Sequence, residues 1–138
     1  MDDSESAQRA LEVAIEVASA LAAKLTIANV VEIPVTPSLP DEPVEIDVKK
    51  LDSATSTAGE KVVSAAGSLA AARGVETVEK VITYMGSAAE GVSDYASKNH
   101  IDLIVVGTRG RGGLERLVLG SVADGVVHHA RCPVLVVR

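Results

Sequence analysis

The sequence contains neither phenylalanine nor tryptophan, and its only aromatic residues are Tyr84 and Tyr95. Apolar residues nevertheless make up 47% of the 138 positions, so a core has to be built from Val, Ile, Leu and Ala. An aliphatic core of this kind is typical of parallel sheets that are covered by helices on both faces. The length is enough for one domain and too short for two of ordinary size. We therefore expect residues 1–138 to form a single domain.

Disulfides, membrane spans and a secretory signal are also missing. Cys132 is the only cysteine, which excludes an internal disulfide framework and fits a reducing compartment. No run of 18 apolar residues occurs, so no transmembrane helix is expected. The first residues, Met1 to Glu5, are acidic and polar and lack the basic start and apolar middle of a signal peptide. These features together predict a cytoplasmic location.

The chain has no excess of positive charge, since 13 basic side chains stand against 19 acidic ones. The net charge of −6 argues against a nucleic-acid partner and provides no basic patch for anionic membranes. Obvious catalytic groups are missing as well, because no Ser/His/Asp triad, carboxylate pair or CxxC motif is visible. His128 and His129 are adjacent and point to different faces of a helix, so we expect no metal site there.

Apolar periodicity predicts that helices and strands alternate along the whole chain. Residues 34–47 contain four prolines and several acidic residues, which predicts a solvated surface loop. The alternating order predicts a parallel sheet with right-handed connections, and ligands bind at the carboxyl ends of the strands in such sheets. The predicted helices cover 4–24, 48–73, 87–99 and 121–130, and the predicted strands cover 25–31, 75–83, 101–106 and 133–137.

The last third of the chain carries the most specific pattern. A β-branched run, 101–106, ends at Gly107; Gly110 follows, and Gly120-Ser121 then begins a helical pattern. Glycines let a backbone approach a ligand closely, and a helix N-terminus offers free N–H groups and a positive dipole end to phosphate. This combination indicates a nucleotide site. The alternative is a tight turn followed by a helix start with no ligand.

The spacing Gly107-x2-Gly110-x9-Gly120-Ser121, with an apolar strand before it and Cys132-Pro133 and four apolar residues after it, resembles the ATP-binding branch of the universal stress protein family. The resemblance covers nearly the whole chain. It implies a Rossmann-like α/β fold (adenine nucleotide alpha hydrolase-like) and a cytoplasmic stress-response regulator that binds ATP, alone or with Mg²⁺. We find no evident general base beside the loop, so any ATP hydrolysis should be slow.

The resemblance also implies roles for individual residues. Asp2 would approach the adenine end, or would be a helix-capping or frayed terminal residue. Val30 would lie against adenine, or would be an ordinary core valine. Arg109 and Arg111 could hold phosphate bidentately, or could remain solvated loop charges. The backbone around ribose and phosphates would come from Gly107, Arg109, Gly110, Gly120, Ser121 and Val122, and the Ser121 hydroxyl could bond a terminal phosphate oxygen or the shell of a magnesium ion.

One part of the family pattern is missing. In the family an apolar strand precedes the residue matching Asp2 and lies in the middle of a five-stranded sheet, whereas here only Met1 precedes it. The strands predicted over 25–31 and 101–106 would be its neighbours. The chain could be a truncated or engineered version, a partner could donate a strand, or the two neighbours could pair directly. The missing strand also supports a second function, a dimeric interaction module of the same fold that binds no nucleotide.

The final strand predicts association between copies of the chain. Val134–Val137 is apolar, has no internal proline or charge, and belongs at a sheet edge, which invites pairing with another chain. The family resemblance implies a homodimer in which these strands pair antiparallel. Exchange of strands between copies is a further possibility that the missing strand leaves open.

Overall fold

The structure, a computed structural model, describes residues 1–33, 48–108 and 119–138, and the side chains of 48–55 are outside that description. The loop predicted over 34–47 therefore lies outside the described residues. Helices and strands alternate as predicted. The four helices are α1 (Glu5–Leu21), α2 (Val48–Ala72), α3 (Ala88–Lys98) and α4 (Ser121–His129), and the four strands are β1 (Leu25–Ile33), β2 (Thr77–Met85), β3 (Ile104–Gly107) and β4 (Val134–Val137).

Local signals in the sequence determine where the helices begin and end. Ser4 caps α1, because its hydroxyl accepts a hydrogen bond from the Ala7 N–H at 3.3 Å. A capping box begins α3, in which Ser87 and Glu90 each satisfy the other's backbone N–H. Gly74, with φ of 76°, follows the end of α2 as predicted from its place after the helical pattern.

The strands pair in parallel, as the alternation predicts. β1 pairs with β2 from Leu25↔Thr77 to Ile33↔Met85, and β3 pairs with β4 from Ile104↔Val134 onwards. β1 and β3 do not pair with each other, so the described strands form two sheets of two strands each. Direct closure of the gap left by the missing strand, one of the three explanations considered above, is therefore not what the structure shows.

Residues 1–6 contact both β1 and β3. The Met1 ammonium donates a hydrogen bond to the Ala28 carbonyl of β1. Five residues later, Ser6 at the start of α1 lies directly against Gly107 at the end of β3. The entry of the chain into α1 therefore contacts both strands, which do not pair with each other.

Helices cover both faces, and the core between them is aliphatic, as the composition predicts. α1 and α2 lie on one face and α3 and α4 on the other. No described helix is long and apolar enough to span a membrane. The first buried cluster joins α1 and α2 to β1, and the second joins α3 and α4 to β3; their members are Leu11, Ile15, Ala18, Ile27, Val63, Ala66, Ala70 and Val75, and Ala89, Ala96, Ile104 and Val126.

Candidate functional site

The backbone of Thr108 connects three elements at the carboxyl end of β3. Its N–H donates to the Val137 carbonyl at 2.7 Å, and its carbonyl accepts from the Gly120 N–H at 2.8 Å. The two ends of the glycine-flanked segment therefore meet, and the start of α4 is held beside the end of β3. Sequence reasoning missed Thr108, although its position directly after Gly107 could have pointed to it.

The N-terminus of α4 has no side-chain cap. Gly120 is the N-cap residue with φ −64° and ψ 155°, and its carbonyl accepts from the Asp124 N–H at 2.9 Å. Ser121 and Val122 follow and are exposed. The first N–H groups of a helix have no partner within the helix and form its positive end. This end of α4 can therefore accept an anion.

The N-terminus of α3 lies at the carboxyl ends of β1 and β2 and is satisfied differently. Besides its capping box, the Ala88 N–H donates to the Glu32 carboxylate at 2.5 Å. Hydrogen bonds from the Ser87 backbone and hydroxyl lower the pKa of Glu90. Glutamates of the chain thus occupy the positive end of α3. Among the helices whose N-terminal side chains are described, α4 is the one that leaves this end to a ligand.

The acidic residue in the first turn of α4 does not occupy that end. Asp124 is exposed, and its carboxylate lies 3.7 Å from the His128 ring one turn later. The His128 Nδ1 atom also lies 2.9 Å from the Asp124 carbonyl. This i, i+4 arrangement places the Asp124 carboxylate beside His128, on the side of the helix that runs towards its C-terminus.

Gly107 is required by close packing. A Cβ atom at this position would lie 2.6 Å from the Ser6 carbonyl oxygen and 2.7 Å from the Ser6 carbonyl carbon. Both are backbone atoms of the first turn of α1 and cannot move aside like a side chain. The glycine therefore allows α1 to approach the end of β3.

We expect Gly107→Ala to lower the free energy of unfolding by about 1–3 kcal/mol, the usual cost of overpacking. Urea denaturation monitored by circular dichroism measures this difference. The double variant Gly107→Ala/Ser6→Ala is the control, because it removes the Ser6 hydroxyl and leaves the two backbone contacts. Full recovery of stability in the double variant would show that the hydroxyl, and not the backbone, makes the contact.

The two residues expected at the adenine end have other contacts in the structure. The Asp2 carboxylate accepts from the Ser4 N–H at 3.1 Å and from the Ser4 hydroxyl at 2.5 Å, so it supports the start of α1. Val30 is half-buried, and a Cβ on Gly91 of α3 would lie 3.1 Å from its Cγ1. Asp2 therefore bonds to the residue that caps α1, and Val30 has the packing contact that the sequence left as an alternative. Both residues remain predictions as nucleotide contacts.

Four of the predicted residues are placed at one end of the molecule, which is the carboxyl end of β3 and the start of α4; they are Gly107, Gly120, Ser121 and Val122. Arg109, Gly110 and Arg111 lie outside the described residues, so their predicted roles stay predictions. In the part of the chain that the structure describes, no group of three or more His, Cys, Asp or Glu side chains is placed to hold a metal ion.

Comparison with known proteins decides the family. The model of the universal stress protein family matches residues 1–138. The chain belongs to the universal stress protein family. The universal stress protein YxiE of Bacillus subtilis is 32% identical over 142 residues, a match that covers 100% of this chain and 95% of YxiE. The family membership that the glycine pattern predicts is thereby confirmed.

Solved universal stress proteins confirm the fold. UspA from Lactobacillus plantarum matches with a TM-score of 0.78 and 30% identity, covering 100% of this chain and 93% of that one. A universal stress protein solved in complex with cAMP matches with a TM-score of 0.69 and 26% identity, covering 100% of this chain and 92% of that one. The Rossmann-like α/β class is therefore confirmed for this universal stress protein, and nucleotide binding occurs within its family.

Proposed function

We propose that this universal stress protein binds an adenine nucleotide, ATP alone or with Mg²⁺, and regulates a stress response through the bound state. The observation that carries the proposal is the contact of Thr108 with Gly120, which sets the uncapped N-terminus of α4 beside the end of β3. Parallel α/β sheets bind ligands at this place. The related protein solved with cAMP supports an adenine nucleotide as the ligand.

In this proposal, backbone N–H groups donate most of the hydrogen bonds to phosphate. The free N–H groups at the start of α4 point outwards from the helix end, and the helix dipole favours a negative ligand there. The exposed Ser121 hydroxyl adds one donor for a phosphate oxygen or for the water shell of Mg²⁺. Arg109 and Arg111 would add cations for the phosphates, and Gly107 and Gly110 would allow a close approach of the backbone to the ligand.

The adenine end of the proposed site lies towards β1. Val30 offers an apolar surface in the carboxyl-terminal half of that strand. Asp2 follows Met1, whose ammonium bonds to Ala28 two residues earlier on the same strand. One Asp2 oxygen accepts both hydrogen bonds from Ser4, which leaves the other oxygen as the acceptor for a ribose hydroxyl or an adenine amino group.

We expect slow turnover from the described groups around the α4 N-terminus. Asp124 is the carboxylate in the first turn of that helix, and it pairs with His128 along the helix instead of facing its end. A general base has to lie within hydrogen-bond reach of the attacking water. We therefore expect ATP turnover far below the enzyme median of about 10 s⁻¹.

Mass spectrometry of the denatured, freshly purified protein and titration calorimetry with ATP test the proposal. We expect either a copurified adenine nucleotide or saturable binding of added ATP, with Gly120→Val reducing the affinity at least tenfold, or about 1.4 kcal/mol. The φ of −64° at Gly120 is open to any residue, so the variant should fold. If the protein neither copurifies with a nucleotide nor binds added ATP, the result would favour the interaction module that binds no nucleotide.

We further propose that the protein is a homodimer paired through β4. β4 lies at the edge of its sheet, since the described strands pair it with β3 alone. Leu135 on this strand is 37% exposed although it is a large apolar residue. An unprotected apolar edge favours pairing with a second copy, and a two-fold axis would set the two β4 strands antiparallel.

A further inference from the structure

Asn29 is a polar residue in the middle of an apolar strand. Side chains two positions apart share a face of a strand, and the neighbours of Asn29 on its face of β1, Ile27 and Val31, are both buried. Asparagine is depleted from strands, and a polar group away from water is costly unless it is hydrogen-bonded. A residue that departs from the local pattern in this way is expected to serve a contact elsewhere in the fold.

The Asn29 side chain bonds to the peptide group in front of Asp2. Its amide nitrogen donates to the Met1 carbonyl oxygen at 2.6 Å, between residues 28 positions apart in the chain. The carbonyl carbon of Met1 is bonded to the Asp2 nitrogen, and the peptide unit is planar. The hydrogen bond therefore orients the peptide plane from which Asp2 continues.

Asp2 is held on its other side by the cap of α1. The Ser4 N–H and the Ser4 hydroxyl both donate to one oxygen of the Asp2 carboxylate, at 3.1 Å and 2.5 Å. Ser4 is itself the N-cap residue of α1. Asn29 thus orients the backbone before Asp2 and Ser4 holds its carboxylate, and together they give the second carboxylate oxygen a defined direction.

The Asn29 side chain lies on the α2 face of β1. A Cβ atom on Gly59 of α2 would be 2.5 Å from the Asn29 Oδ1 atom and 3.1 Å from its Cγ. Val30 turns to the opposite face, where a Cβ on Gly91 of α3 would lie 3.1 Å from its Cγ1. Asn29 is therefore on the other side of the sheet from the valine proposed to lie against adenine, and its link to the site runs through Asp2.

We propose that Asn29 is a positioning residue for nucleotide binding, which aims the Asp2 carboxylate at the ribose or adenine end of the ligand without touching the ligand itself. The inference rests on the proposed function, in which Asp2 lies at that end. Binding groups have to be held close to their productive geometry by the residues behind them. Loss of the Asn29 hydrogen bond frees the Met1–Asp2 peptide to rotate, and the contact of Asp2 with the ligand weakens.

A double-mutant cycle with Asp2 separates positioning from general support of the fold. Asn29→Leu keeps the approximate size of the side chain and removes its donor. By calorimetry, we expect this change to weaken ATP binding at least fivefold in the unmodified chain and less than twofold when Asp2→Ala is already present. Equal losses in the two backgrounds would overturn the proposal, and so would an Asp2→Ala variant that binds ATP as tightly as the unmodified chain.

Two glycines of α2 provide a matched pair of variants that leaves the bonded residues unchanged. Gly59→Ala displaces the Asn29 amide from its hydrogen bond, because the atom that meets the new methyl group is the free end of a side chain. Gly67→Ala meets the Glu79 carboxylate of β2 in the same way, but that side chain is not part of the path to Asp2. Alanine favours a helix over glycine, so both variants should fold.

We expect ATP binding to weaken at least threefold in Gly59→Ala and to change less than twofold in Gly67→Ala. Equal changes in the two variants would overturn the proposal. Should Asn29→Leu fail to fold, Gly59→Ala replaces it in the cycle with Asp2→Ala.

Titration of the unmodified chain in the same series distinguishes failure of this proposal from failure of the proposed function. If the unmodified chain binds ATP and the Asn29 and Gly59 variants bind it equally well, nucleotide binding stands and the positioning role of Asn29 is wrong. If the unmodified chain binds no ATP, both are wrong.

Discussion

Val122→Asp is expected to lower the affinity for ATP at least tenfold, or about 1.4 kcal/mol. Val122 is exposed in the first turn of α4, where the proposed site holds the phosphates. A carboxylate about 8 Å from one phosphate charge costs about 2 kcal/mol at an effective dielectric constant of 20. Calorimetric titration of ATP measures the loss, and added salt should reduce it because exposed charges are screened.

Val127→Asp is the matched control for this experiment. Val127 is on the same helix and is 46% exposed, against 42% for Val122, but it lies five residues further along, or about 7.5 Å. We expect less than a threefold change in its ATP affinity. A new aspartate is favourable near a helix N-terminus and unfavourable near the C-terminus. If general destabilisation caused the loss of ATP affinity, Val127→Asp would therefore lose more affinity than Val122→Asp. An equal or larger loss of ATP affinity in Val127→Asp would show that the phosphates do not bind at the start of α4.

Val136→Pro is expected to raise the dissociation constant of the proposed dimer at least tenfold. The Thr108 N–H donates to the Val137 carbonyl, so the backbone groups of Val137 face β3 and those of Val136 face the free edge. Proline at this position removes an outward N–H and is tolerated at sheet edges. A two-fold axis doubles the loss to two hydrogen bonds, each worth about 1 kcal/mol.

Val136→Ala is the control, because it shortens the same side chain and keeps the N–H. We expect the dissociation constant of its dimer to lie within about threefold of the value for the unmodified chain. Sedimentation equilibrium from 1 µM to about 100 µM covers the range in which an edge-paired dimer of this size should dissociate. A monomer for the unmodified chain throughout that range, or equal dimerisation of both variants, would show that β4 is not the interface.

Much of this protein could be derived from local patterns in its sequence. The alternation of helices and strands follows from apolar periodicity and from caps such as Ser4, Ser87 and Gly74, which act within a few residues of themselves. The glycine spacing from Gly107 to Ser121 indicated both the family and the position of the candidate site at a strand end and a helix start. These features are local because each is a relation between neighbours in the chain.

Contacts between distant residues could not be derived in this way. No spacing rule predicts that the Thr108 carbonyl accepts from Gly120, that Gly107 packs directly against Ser6, or that Met1 bonds to Ala28. The sequence left the roles of Asp2 and Val30 open, and the structure shows Asp2 bonded to the cap residue Ser4 and Val30 packed near Gly91. Arg109, Gly110 and Arg111 keep the roles that the resemblance implied, as predictions.

The sequence alone thus determined the α/β class, the aliphatic core, the order of the elements and the membership of the universal stress protein family, because composition and periodicity depend on which residues follow one another. Only the tertiary structure decided that β1 and β3 are not paired and that residues 1–6 contact both of them. Strand pairing depends on which backbones come within hydrogen-bond distance in the folded chain, and here β1 pairs with β2 and β3 with β4, while residues 1–6 contact Ala28 on β1 and Gly107 on β3.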